Sequence, residues 1–256
     1  MRALFAFIKK EFSEQTRSGK LMLITMIFIL VGIMNPAVAK LTPWLLETMA
    51  DSLAESGMSV TVSSVSALDS WAQFYKNIPM ALIAFILLQS GIFTKEYSSG
   101  TLVLSLTKGL ERFKVVIAKE LVLTALWTVE YWLCFGITYA YNSYFWNNAV
   151  AHSLFFSAVC WWIFGILTSS LTVFFSTVLR SNTGVLIATG AAVTVSSLSG
   201  LLPRVGKYLP TLLTDGNSLI YGASKPRDYF TSLVITLTLC VLCFIASIPI
   251  FNKKQL

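Results

Sequence analysis

Apolar residues fall along the chain in long runs separated by short polar and charged stretches, a spacing that predicts membrane-crossing helices. One crossing needs about 20 mostly apolar residues at a rise of about 1.5 Å each. Six runs meet that requirement: 21–39, 78–94, 115–141, 153–175, 184–202 and 229–251. None shows the ten-residue alternation of a membrane barrel, so the expected fold is all-α and polytopic, a single transmembrane domain over 1–256. The third run is long for one crossing and carries Lys119 and Glu120 near its start, which places its first turns at the interface.

Composition agrees. Hydrophobic residues make up 55% of the 256 positions and charged ones 12%, about half the charged share of a soluble domain. A water-soluble enzyme could not hide that much apolar surface, and a disordered chain would not carry it. The net charge of +7 could indicate nucleic acid, but in a membrane protein it points to loops on the cytoplasmic side. With both termini inside, thirteen of the 19 basic residues and five acids lie on the inner face, and six of each on the outer. That bias, with an even number of spans, predicts a multi-pass protein of the cell membrane with both ends cytoplasmic. The start also resembles a secretory signal ending in Ala37-Val38-Ala39, but a twenty-residue polar lead-in with Glu11 and Glu14 argues against cleavage. The four cysteines lie in apolar runs. Cys240 and Cys243 form a CxxC with no second ligand pair, which reads as free thiols rather than a metal site.

Residues 1–18 are too charged to cross and too regular for a random tail. Met1, Leu4, Phe5, Ile8 and Phe12 recur at helical spacing, with Lys9, Lys10, Glu11, Glu14 and Arg17 on other faces. Such a helix lies flat on the inner membrane surface, its lysine stems reaching for water. Between the second and third spans, the 95–114 loop begins with Glu96, has Ser98 or Ser99 placed to cap a helix, continues Gly100-Thr101-Leu102, and closes at Lys108-Gly109 ahead of Arg112, Lys114 and Lys119. This predicts a compact charged-flanked helix, a docking surface for a soluble partner built on Glu96, Ser99, Gly100, Thr101, Leu102, Lys108 and Arg112.

A basic amphipathic N-terminal helix, six spans, and an inner loop of the form E-x-x-x-G-T-L…R-x-x-x-x-x-x-K resemble the membrane subunit of type-2 ABC transporters, the exporter-type permeases. Lys10-Glu11-Phe12, Arg17, Glu96, Gly100, Thr101, Leu102, Arg112 and Lys119 carry the resemblance. It implies that the 95–114 loop forms a coupling helix seated in a groove on a separate ATPase, two copies per complex, beside a second permease copy or paralogue. It also implies no cofactor in this chain, ATP and magnesium being held by the ATPase. One departure is Gly109-Leu110-Glu111, where many relatives have a proline. Consistently, the chain has no G-x-x-x-x-G-K-[ST] phosphate loop.

Two features inside the spans bear on transport. Glu130 is the one acid deep within a run; a charge there costs on the order of 2.5–3.5 kcal/mol, so it needs a partner, a cavity or a proton. It supports an alternative reading, an ion-coupled carrier, with Tyr131, Trp132 and Gln89 as candidate neighbours. Gly184, Ala188, Ala192, Ser196 and Gly200 form a small-residue stripe, a surface for close helix packing either within the chain or at a permease–permease interface beside the conduit. No nucleophile–base or metal set supports an intramembrane enzyme, so no catalytic residues are expected. Aromatic richness suits an amphipathic peptide, lipid or drug cargo and equally suits burial in lipid.

Overall fold

The computed structural model describes residues 2–48, 65–107, 109–202 and 204–254. Among these no strand occurs. The chain runs through α1 (Arg2–Arg17), α2 (Lys20–Thr48), α3 (Ala67–Gln89), a 3₁₀ turn (Ser90–Ile92), α4 (Thr94–Ser99) and α5 (Thr101–Thr107). It continues as α6 (Arg112–Phe145), α7 (Leu154–Val178), α8 (Asn182–Ser199), a 3₁₀ turn (Pro210–Thr214), α9 (Gly216–Ile220) and α10 (Phe230–Lys253).

Among the described residues five stretches are long and apolar enough to cross a membrane: Lys20–Leu45, Ala67–Ser99, Arg112–Phe145, Leu154–Val178 and Pro226–Lys253. The expected fifth run, 184–202, is not among them. It forms α8, only 18 residues long, in which Thr189, Thr194, Ser196, Ser197 and Ser199 dilute the hydropathy. Helix α8 nevertheless touches the turn Ser90–Ile92 at one end of the bundle and the turn Pro210–Thr214 at the other, where Thr211 Oγ1 donates to Ser196 O at 3.3 Å.

The second span also differs from its expected start at 78. Helix α3 begins at Ala67, because Ser66 and Asp69 make a capping box: the Ser66 N–H donates to Asp69 Oδ2 at 2.8 Å and Ser66 Oγ accepts from Leu68 N. Two frayed N–H groups are satisfied there, and Trp71, Phe74, Tyr75 and Ile78 then follow at helical spacing, all buried.

Packing on α10 is inverted relative to a soluble bundle. Val234, Val241, Leu242 and Ile245 point outward while Ser232, Thr236 and Ser247 are buried. In lipid the outside is as apolar as any core, so small and polar residues gain by facing other helices. The same logic seats Gly165 of α7 beneath Trp127 of α6. A Cβ on Gly165 would stand 2.1 Å from the indole ring, whose Nε1 donates to Trp162 O at 3.0 Å. The starts of α2 and α6 and the ends of α7 and α10 gather at one, charged, end of the bundle. Pro210–Thr214 and α9 plug the other, with Trp161 Nε1 donating to Thr214 O at 2.8 Å.

Candidate functional site

Helix α1 explains the geometry at the charged end. Its buried residues are Phe7, Glu11 and Gln15, four apart and therefore on one face. The expected apolar stripe is split: Leu4 and Ile8 lean on the core beside Phe7, whereas Phe5 and Phe12 are 66% and 50% exposed. Lys9 and Arg17 are exposed. Glu11, expected on a polar face, is buried. A carboxylate can be held there only because cations meet it.

One of those cations, Lys119, comes from a distant part of the sequence, and the other, Lys10, is the neighbour of Glu11 on α1. Lys119 of α6 is 1% exposed; its Nζ lies 2.9 Å from Glu11 Oε2 and 2.8 Å from Glu96 Oε2, and donates to Ile92 O at 2.7 Å. Lys10 Nζ reaches Glu11 Oε1 at 3.0 Å and Glu14 Oε2 at 3.1 Å, and pairs with Glu96 Oε1. Phe93 and Phe7 wall the cluster, with the Lys119 ammonium 5.1 Å from the Phe93 ring centre. Burial alone would pull the Lys10 ammonium down, but its bonds to Glu96 and Glu11 win and hold its pKa above the ordinary lysine value. Oxygens of Glu11, Glu14 and Glu96 converge closely enough for a metal ion, yet Lys10 already contacts all three, so the positive charge at their centre is an ammonium. A reciprocal amide pair, Gln15 Nε2 to Gln89 Oε1 at 2.9 Å and Gln89 Nε2 to Gln15 Oε1 at 3.2 Å, extends the polar seam one turn further.

The cluster fastens an elbow. Helix α4 ends at Gly100, which adopts φ +68°, a left-handed conformation that favours glycine, and α5 departs from it. The sequence expectation of a helix capped by Ser98 or Ser99 is corrected: both belong to α4, where Ser98 Oγ donates to Lys95 O at 2.9 Å, and Ser99 Oγ lies 2.8 Å from Thr101 Oγ1. Of the residues grouped above as a docking surface, Ser99 and Thr101 face out and Gly100 is half-buried. Glu96 and Leu102 are 4% and 1% exposed, so they hold the elbow to the bundle rather than presenting themselves to solution. Val103, at 41% exposed, offers an apolar contact instead. Lys108 lies outside the described residues.

Arg112 is engaged elsewhere. Its Nη1 donates to Phe251 O at 3.2 Å, Asn252 O at 3.1 Å and Lys254 O at 2.6 Å, gathering the C-terminal carbonyls of α10. Lys254 Nζ in turn donates to Thr177 O and Leu179 O, both at 2.9 Å, at the end of α7, and sits 4.2 Å from the Tyr97 ring centre on α4. The hydroxyl of Tyr97 donates to Ser176 O at 3.2 Å. The elbow is thus tied to α1 and α6 by ions and to α7 and α10 by a clamp. Sequence reasoning missed the clamp, since nothing marks Lys254 near the chain end, and missed Gln15, although its spacing from Phe7 and Glu11 was a usable signal.

The remaining candidates lie apart. Glu130 is 1% exposed; its Oε1 accepts from Thr25 Oγ1 of α2 at 2.6 Å, and its other oxygen has no hydrogen-bond partner among the described residues. Two of the expected neighbours are engaged elsewhere: Tyr131 donates to Ala158 O and Gln89 pairs with Gln15. On α8, Val185 and Thr189 are buried, and the small stripe Gly184, Ala188, Ala192, Ser196 and Gly200 is half-buried along the flank of that contact.

Comparison with known proteins adds two findings. A family model described as ABC-2 family transporter protein matches residues 5–218. The chain is also similar to the uncharacterized transmembrane protein YxlG of Bacillus subtilis (strain 168), 25% identical over 270 residues spanning 100% of this chain and 99% of that one.

Proposed function

The chain belongs to the ABC-2 family of transporter proteins and is a membrane subunit of an ABC transporter, and from that premise we propose that it is the permease of an ATP-driven exporter. A separate ATPase, present in two copies, docks at the α4–α5 elbow and binds ATP and magnesium. A second permease, identical or paralogous, completes the conduit, and an amphipathic or hydrophobic peptide, lipid or drug leaves the cell. In this reading α8 is the sixth crossing, as its contacts at both ends of the bundle favour. The charged end is then cytoplasmic, because the basic residues concentrate there, and the membrane is the plasma membrane.

The single observation that carries the reading is the cluster of buried Glu11, Glu96 and Lys119 with the partly exposed Lys10. A push on α5 cannot be absorbed by the elbow alone, since Glu96 is locked to both α1 and α6. Breaking those pairs inside the protein leaves an uncompensated charge, at a cost of about 3–5 kcal/mol, so moving α1 and α6 with the elbow is the easier response. ATP binding by the partner would then tilt these helices together and open an outward path.

Val103→Asp places a charge on the exposed side of α5 without touching the cluster. Expressed with its ATPase, that variant should lose co-purification while keeping wild-type thermal stability, and Gly100→Trp should lose it as well, with some loss of stability because Gly100 holds φ +68°. An ATPase that stays bound to both variants would refute the docking assignment. Transport by the permease alone, with no nucleotide hydrolysed, would refute the ATP-driven reading and favour the ion-coupled alternative through Glu130.

A further inference from the structure

A cavity of about 410 Å³ opens between α2 and α6 at the end of the bundle opposite the charge cluster. Ile33, Ala37 and Leu41, four residues apart on one face of α2, form one wall, and Tyr141 and Phe145 of α6 form the other. Lys40 closes the top, its Nζ 3.7 Å from the Phe145 ring centre, a contact that holds an ammonium in place. The groove opens sideways, where Ile33 and Leu41 are 40% and 53% exposed. Among the described residues no carboxylate pairs with Lys40.

Height fixes what the cavity meets. Lys20 and Lys40 stand twenty residues apart on α2, about 30 Å at 1.5 Å per residue, the thickness of a bilayer's hydrocarbon core. With Lys20 at one boundary, Lys40 lies at the headgroup level of the other. The Leu41–Ala37–Ile33 wall then descends from it into the acyl region turn by turn. A lysine reaching for the interface would need no cavity beneath it, and a belt of aromatic rings would need no cation. Here a cation with no carboxylate partner among the described residues, a ring that positions it and an apolar trough share one seam.

We propose that this seam binds one anionic phospholipid from the leaflet at that end, its phosphate on the Lys40 ammonium and one acyl chain along the Ile33–Leu41 groove. The site is separate from the elbow and does not depend on the transport reading.

The test is native mass spectrometry of the full-length protein, reconstituted in nanodiscs of equal phosphatidylglycerol and phosphatidylcholine and released in mild detergent. One phosphatidylglycerol per chain should be retained several-fold over phosphatidylcholine. Lys40→Ala should lower that retention about fivefold, the factor one basic side chain contributes near an anionic surface, and Phe145→Leu should lower it as well. Lys40→Arg should preserve it, keeping charge and ring contact, and so separates loss of the site from a failure to fold. Lys76→Ala, an exposed lysine on α3, should change nothing. Equal retention of the two lipids, unchanged retention in Lys40→Glu, or a bound fatty acid in place of the phospholipid would overturn the proposal.

Discussion

Replacing Lys119 by methionine tests the charge cluster most directly. Methionine keeps the length of the side chain and fills its space, so the change removes little beyond the ammonium. Glu11 and Glu96, both 4% exposed, then share Lys10 alone, which is 41% exposed at its side chain and also contacts Glu14. Removing one partner of a buried ion pair costs about 3–5 kcal/mol. The surviving Lys10 contacts place the expectation near the lower figure, about 3 kcal/mol, with the lost bond to Ile92 O included. For a chain of this size that lowers the melting temperature by roughly 6–12 °C. The companion variant, Lys119→Met with Glu11→Gln, removes one charge of each sign and leaves Lys10 with Glu96. Its melting temperature should return most of the way, a coupling of about 1–3 kcal/mol in the double-mutant cycle. Stability of each protein would be read in detergent by thermal unfolding, at matched lipid content. Two results would refute the reasoning: a Lys119→Met protein as stable as wild type, or a double variant no more stable than the single one. Either would mean that the carboxylates are solvated or neutral and that the elbow is not locked to α6.

Other outcomes follow from single contacts. Gly165→Ala forces the Trp127 indole from its seat and should cost about 1–3 kcal/mol, while Gly190→Ala on α8, where a Cβ meets nothing within 4 Å, should stabilise by about 0.5–1 kcal/mol; thermal unfolding of the pair distinguishes packing from propensity. Burial, with Arg180 nearby, pulls the Lys254 amine down to about 8, below its unfolded value. The unfolded chain therefore binds more protons between pH 8 and pH 10, so stability should rise across that window. That rise should be shallower in Lys254→Met, and equal slopes would count against the clamp as drawn. Glu130→Gln retains the hydrogen bond from Thr25 and should leave ATP-driven transport in proteoliposomes within about twofold of wild type; complete loss would favour the ion-coupled reading.

How much of this was legible in the sequence depended on whether the signal was local. Apolar runs gave the all-helical membrane fold because a crossing is fixed by length and hydropathy alone. They misplaced the start of α3, since Trp71, Phe74 and Tyr75 sit beyond the expected core in a segment whose polar residues masked its periodicity; the Ser66/Asp69 capping box was the local sign. By length and hydropathy α8 does not register as a crossing, being short and rich in hydroxyls that can bond to their own helix.

The charge cluster was half legible, and the reason is physical. Lys10, Glu11, Glu96 and Lys119 stood out as residues of a resemblance, but nothing local says that Glu11 turns inward, because helical periodicity assigns polar residues to the wet face. That rule presumes each residue is buried on its own account. A lysine and a glutamate from helices 108 positions apart in sequence can be buried together when each supplies the other's missing solvation. Amphipathicity then misreads both. The useful signal is therefore arithmetical rather than periodic: charges set where two helices must enter the membrane, with opposite signs available at the same height. Lys119 satisfies this on α6, just inside the start of an apolar run, and Glu96 satisfies it on α4, just after the end of one. Their meeting makes the elbow part of the bundle and not an appendage to it.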